Sequence, residues 1–332
     1  MLHGESPGAL LLWTGPSTGL AMHRFGTAVG TLLALCLPGT AVAQGCTSGG
    51  LSLEAVAVQA LPATFGIEGV ATAPGGRLAL WSADGELLEL DREHGLIRHH
   101  LPDSVRPIGL GIVAEGYRIL DERTGREFLL STGDSLRWME PVALQTGDML
   151  DRAVWREGHW LLLVRQAATR EFQLRIAGAE ESLYRSAPAE SLRTIPRYHL
   201  SDAAGLLLLT RFTSPFDVIR VDPATGRADT LAPLTAQLTD IPADSLTHWR
   251  ALPAVAIDCG MLLTLSDLTS DHRLLVRYSA AGTIDRVTAL DAPLGLMARL
   301  PGERTVLAAR RTGDLELVWY DWHWAREPVA SP

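Results

Sequence analysis

Six glycines, each opening onto an apolar run, recur along this chain and restrict it to a repeating architecture of short strands. They are Gly76 (GRLALW), Gly116 (GYRIL), Gly158 (GHWLLLV), Gly205 (GLLLLT), Gly260 (GMLLTL) and Gly302 (GERTVLA), at intervals of 40, 42, 47, 55 and 42 residues. After each run comes a polar hairpin, such as ADGE at 83–86 or FTSPFD at 212–217, and then another apolar strand, such as LLELD or DVIRV. Further turn glycines follow at Gly95, Gly133, Gly178, Gly226 and Gly282. Glycine and Asp-Pro supply the positive φ and the fixed turns that end a strand, so turn chemistry as well as hydropathy delimits these elements. A repeat in the forties with three or four short strands per unit predicts an all-β fold, a β-propeller, and six turns predict six blades.

The sixth unit lacks its last strand, because only a short polar tail follows Trp324. An orphan strand, LSLEAVAVQAL at 51–61, stands ahead of the first unit. Placing it as the outer strand of the last blade closes the ring and leaves no sheet edge open at the joint. Alternation along WYDWHW puts Tyr320, Trp322 and Trp324 on one face of the final strand and Trp319, Asp321 and His323 on the other. The main irregularity is the connection TAQLTDIPADSLT at 235–247, long enough for a lid or for a tolerated insertion.

The first 43 residues stand apart from the repeat. From Met22 the chain has a basic start at His23 and Arg24, an apolar stretch to Leu37 and a small-x-small site at Ala41 and Ala43, the pattern of a secretory signal peptide over 22–43. Residues 1–21 show no such organisation and are expected to be a mis-called extension. Removing 43 of 332 residues leaves 289, at 44–332, enough for a single propeller domain. The expected location is secreted or periplasmic, with no membrane span in the mature chain. Cys36 would leave with the leader, and the remaining Cys46 and Cys259 are expected to form one disulfide on the face of the first hairpin turns, locking the ring closure.

All 29 basic residues are arginine, and the chain has neither lysine nor asparagine. That bias reflects a GC-rich coding sequence and lowers the weight of any single arginine. With a net charge of −9 and no basic tail, nucleic acid is not an expected partner.

Candidate chemistry follows from counting back from the turn glycines. Eight residues before them stand Glu68, Ile108, Leu150, Arg197, Leu252 and Leu294, so Glu68 and Arg197 are expected to face each other across the central channel. Arg106, Arg152, Arg211, Arg250 and Arg310 fall near strand ends on the face of the incoming connections, where guanidiniums suit a carboxylate, phosphate or acidic glycan. Trp249, beside Arg250, is the tryptophan placed for contact. The histidines lack paired metal-ligand spacing, and no nucleophile elbow, phosphate loop or HExxH motif occurs, so no cofactor, metal or catalytic residue is expected. These residues predict a non-enzymatic binding module for an anionic small molecule, glycan or protein partner.

The stretch GIEGVATAPGGRLALWSADGELLELD at 66–91 resembles a blade of the six-bladed NHL and TolB-like propellers of exported bacterial proteins, through Glu68-Gly69-Val70-Ala71, Pro74 to Gly76 and the hairpin Ala83 to Gly85. VDPATG at 221–226 is similar. The resemblance implies an architecture and not an activity. Calcium-dependent gluconolactonases of related fold use a channel glutamate that Glu68 resembles, which implies a channel-mouth hydrolase as the alternative. Those enzymes also need an asparagine ligand, and this chain contains none.

Overall fold

The computed structural model describes residues 51–324 apart from 74–75, 92–94, 134, 192–194, 204, 239–240, 243, 291–293 and 312–313. The expected leader at 1–43 and Cys46 lie outside the described residues. β1 (Leu51–Ala60) precedes blade one, which is β2 (Ile67–Thr72), β3 (Leu78–Ser82), β4 (Glu86–Asp91) and β5 (Gly95–His100). Blade two is β6 (Pro107–Val113), β7 (Gly116–Asp121), β8 (Arg126–Ser131) and β9 (Leu136–Pro141). Blade three is β10 (Asp148–Arg156), β11 (His159–Gln166), β12 (Glu171–Ile176) and β13 (Ser182–Arg185). Blade four is β14 (Tyr198–Ala203), β15 (Leu206–Arg211), β16 (Val218–Val221) and β17 (Ala228–Thr230). Blade five is β18 (Trp249–Ala251), β19 (Val255–Ile257), β20 (Gly260–Asp267), β21 (Arg273–Ser279) and β22 (Ile284–Leu290). β23 (Leu294–Arg299), β24 (Thr305–Arg311) and β25 (Leu315–Trp324) complete the chain.

Each unit is an antiparallel meander, and the sixth has the order β1-β25-β24-β23. The first strand of the chain therefore completes the last blade, from Leu51↔Trp324 to Ala60↔Glu316. Inner strand β2 touches both β6 and β23, and the other inner strands follow one another in turn, so the six blades stand in a ring. The molecule is a six-bladed β-propeller. Among the described residues no helix is long and apolar enough to cross a membrane.

Burial explains the sequence pattern. Second strands are covered on both faces by neighbouring blades and are apolar nearly throughout, as in Leu78–Ser82, where every residue is buried. Outer strands have one wet face and alternate, as in Leu136–Pro141. All six marker glycines have positive φ. Gly116 and Gly260 need to be glycine twice over, since at φ +142° and +147° a Cβ would also lie 2.0 Å from the Leu130 carbonyl oxygen and 1.9 Å from that of Tyr278. In blade five Pro253 has no N–H to give to the ladder and splits the inner strand into β18 and β19, both paired with β20.

The long connection is part of the core. It forms two short 3-10 turns, Leu234–Gln237 and Ser245–His248, and Leu234, Leu238 and Leu246 are buried beside blade five. Trp249 joins the same cluster at 6% exposure. The contact role expected for Trp249 is corrected accordingly. As the first residue of β18 it points into the core by strand alternation, and no open face remains for a ligand.

Candidate functional site

The inner strands enclose a cavity of about 800 Å³ lined by residues of all six blades. Its wall runs from Glu68, Ile108 and Leu252 down to the first hairpin turns at Glu157, Gly205 and Gly302. The incoming connections on the opposite face do not contribute to it. Of the eight ligand-binding residues expected from the sequence, Glu68 and Arg152 line this cavity, and Arg106, Arg197, Arg211, Trp249, Arg250 and Arg310 do not.

The expected Glu68–Arg197 pair is not formed, because two one-residue offsets accumulate in blade four. The Phe212 amide donates to the Arg197 carbonyl, just as the Glu122 amide donates to that of Arg106, so Arg197 is the structural counterpart of Arg106 and not of Ile108. β2 and β6 carry a bulge at Glu68 and Ile108, whereas β14 pairs without one. Gly205 also sits inside its turn, while Gly116 is already the first paired residue of its strand. Arg106 and Arg197 are exposed ahead of their strands.

The remaining arginines on that face have partners. Arg211 pairs with Asp217 at 3.4 Å and Arg310 with Glu316 at 2.8 Å. Arg250 donates to the Thr247 and Trp249 carbonyls and lies 5.5 Å from the Phe212 ring centre. A guanidinium already neutralised by a carboxylate has little left to offer an anion.

Within the cavity, Arg156 pairs with Asp202 at 3.3 Å and Glu157 at 3.2 Å, and Arg299 pairs with Asp258 at 3.0 Å. Arg152 is different. Its guanidinium donates to the Asp151 carbonyl at 3.0 Å and has no carboxylate partner among the described residues. Glu68 is exposed at its bulge, and among the described residues its carboxylate is likewise unpaired. Calcium needs six to eight oxygens. The carboxylates lining the cavity are Glu68, Glu157 and Asp202, of which Arg156 already holds two, and among the described residues no three His, Cys, Asp or Glu side chains gather as a metal site.

Two further lining residues escaped the sequence reading. The Ser201 hydroxyl is buried without a hydrogen-bond partner. His199 Nε2 lies 3.1 Å from the Ala251 carbonyl, which can only accept, so Nε2 carries the hydrogen. Burial pushes the imidazole down to about 4, helped by repulsion from Arg152 and opposed by the Ala251 bond. No motif marks either residue; both stand on β14, two residues apart.

His199 gives the molecule a pH response of defined sign. As pH falls through about 6.5 the unfolded chain takes up a proton that the folded protein refuses until about 4. Stability is therefore lost as pH falls across that window, by up to about 3 kcal/mol from this group. Urea titrations from pH 7 to 4 should show a shallower decline for His199→Gln than for wild type. Parallel curves would remove His199 as the cause.

No protein-family model matches the chain, and no curated protein matches it. Solved structures of similar fold include a catalytically inactive virginiamycin B lyase from Staphylococcus aureus with quinupristin, at 9% identity and TM-score 0.45, covering 81% of this chain and 99% of that one. The Cps50 (Swd1) β-propeller domain of Myceliophteria thermophila matches at 11% identity and TM-score 0.47, covering 76% and 83%. BamB from Moraxella catarrhalis matches at 10% identity and TM-score 0.40, covering 83% and 99%. At these values the likeness is one of propeller architecture, and nothing about ligand or chemistry follows from it.

Proposed function

We propose that this chain is an exported, non-enzymatic binding protein whose ligand seats an anionic group against Arg152 in the central cavity. The observation that carries this reading is the charge state of the wall: Arg156 and Arg299 are neutralised by carboxylates, and Arg152 has no carboxylate partner among the described residues. A half-buried guanidinium in a largely apolar cavity is a strong site for a carboxylate or other oxyanion. Calorimetry with a panel of acidic small molecules should give binding that Arg152→Gln weakens tenfold or more, about 1.4 kcal/mol. Binding unchanged by that substitution would move the ligand elsewhere.

The exposed carboxylate of Glu68 in the same cavity favours a second reading, a hydrolase acting there. Turnover of lactones or esters by wild type, abolished in Glu68→Gln, would put this reading first.

Export rests on the leader at 22–43, and the expected bridge between Cys46 and Cys259 belongs to the same proposal. Cys259 lies in the tight turn between β19 and β20. Next to it, Asp258 holds Arg304 at 3.2 Å, and Arg304 accepts from the Trp322 amide beside the start of β1. Leu51 and Leu53, paired with Trp324 and Trp322, thus stand near the turn that holds Cys259, which supports the bridge. A peptide map without reduction should recover the two cysteines in one fragment, and free thiols at both would refute the bridge.

A further inference from the structure

Among the described residues, Glu68 and Arg152 are charges of opposite sign in the cavity that have no ion-pair partner, each other included. Glu68 stands on β2 and Arg152 on β10, with β6 between them contributing Ile108, Leu110 and Ile112 to the wall. A simple anion satisfies Arg152 and leaves Glu68 facing the same apolar space. A zwitterion with an apolar centre satisfies both.

The backbone narrows the class further. Each inner strand is terminal in its sheet, so the backbone groups of its second edge lie outside the ladder. Neighbouring side chains take some inner-strand groups, the Ala251 and Arg299 carbonyls accepting from His199 and Thr72 and the Leu296 amide donating to Thr264. At Gly69, Gly111 and Gly295 the wall is covered by the Trp81, Trp155 and Leu252 side chains, which would lie 2.0, 2.3 and 2.5 Å from an added Cβ and contribute to the apolar lining. A ligand suited to this wall carries amide donors and acceptors along its length, apolar side chains and one charge of each sign at its ends. We propose that the cavity takes a short apolar peptide with free termini, its carboxylate against Arg152 and its ammonium against Glu68. The proposal rests on the reading that Arg152 receives the anionic group of the ligand. A pocket of this volume is within the usual range for small ligands and too small for a folded partner.

The probes are dileucine, trileucine and tetraleucine, each also as its N-acetyl and C-amide form, titrated calorimetrically into the full chain. At least one free peptide should bind, and blocking either end should weaken it about tenfold or more. In Glu68→Gln, acetylation should make no further difference, and in Arg152→Gln, amidation should make none. Both residues are at least partly exposed, and a thermal melt of each variant reports that it is folded. If N-acetyl peptides or simple aliphatic carboxylates bind as well as free peptides in an Arg152-dependent way, the peptide inference falls and the anion site stands. If no member of the series and no acidic small molecule binds, both fall.

Discussion

A chain starting at Leu61, which lacks β1, is expected to lose cooperative folding or to melt more than about 10 °C below the full chain. The strand supplies the ladder that covers the whole of β25, from Leu51↔Trp324 to Ala60↔Glu316. Leu51, Leu53 and Ala57 pack onto core clusters that contain Trp322, Leu317 and Trp319, which are now at most 3% exposed. Leu51 and Leu53 are partly buried and each contribute less than the roughly 1.5–3 kcal/mol of a fully buried leucine. The uncovering of Trp322, Leu317 and Trp319 adds to a loss set against the roughly 5–15 kcal/mol that stabilises a whole domain. Truncation also turns β25, with its sequence LELVWYDWHW, into an open edge that invites association. Differential scanning calorimetry and size-exclusion chromatography measure both effects. A truncated monomer melting within a few degrees of the full chain would show that the ring does not depend on this closure.

Replacing Asp148 by alanine is expected to destabilise the protein by about 3–5 kcal/mol, because it strands a buried cation. Asp148 and Arg175 have side chains 1% and 5% exposed and lie 2.6 Å apart. The same carboxylate accepts from Gln166 Nε2 at 2.9 Å and from the Gln145 amide at 2.8 Å. It thus ties the loop ahead of β10 to β11 and β12. The favourable part of such a pair is largely offset by the desolvation of its two ions, so removing both charges should cost much less than removing one. Urea denaturation of Asp148→Ala, Arg175→Met and the double variant tests this. Costs that simply add in the double variant would mean that the two side chains contribute separately and not as a pair.

The repeat was legible because its cause is local. A strand between two blades is covered on both faces and must be apolar, as in LALW and LLLL, and a tight turn after an inner strand favours glycine, so each unit repeats the same signals at nearly the same spacing. The completion of the last blade was legible for the same reason, since LSLEAVAVQAL has no partner within its own unit and β25 without β1 has a free edge. The candidate site was less accessible. Glu68 and Arg152 are in the cavity, but a missing bulge and a shifted turn glycine together displace Arg197 by two residues and leave it ahead of β14. Trp249 and the 235–247 connection have the composition of an exposed loop, yet Leu234, Leu238 and Leu246 fill the core there.

Charge pairing was the least legible feature. Arg211, Arg310, Arg156 and Arg299 look like Arg152 in a chain that has arginine as its only basic residue besides histidine, and only their partners distinguish them. The sequence by itself determined the six blades, their order and the strand that closes them, because turns and hydrophobic periodicity act over a few residues. The tertiary structure alone decided which polar groups face the cavity and which of them are already neutralised, because ion pairs join residues distant along the chain, at separations of 3–4 Å that depend on bulges and loop lengths.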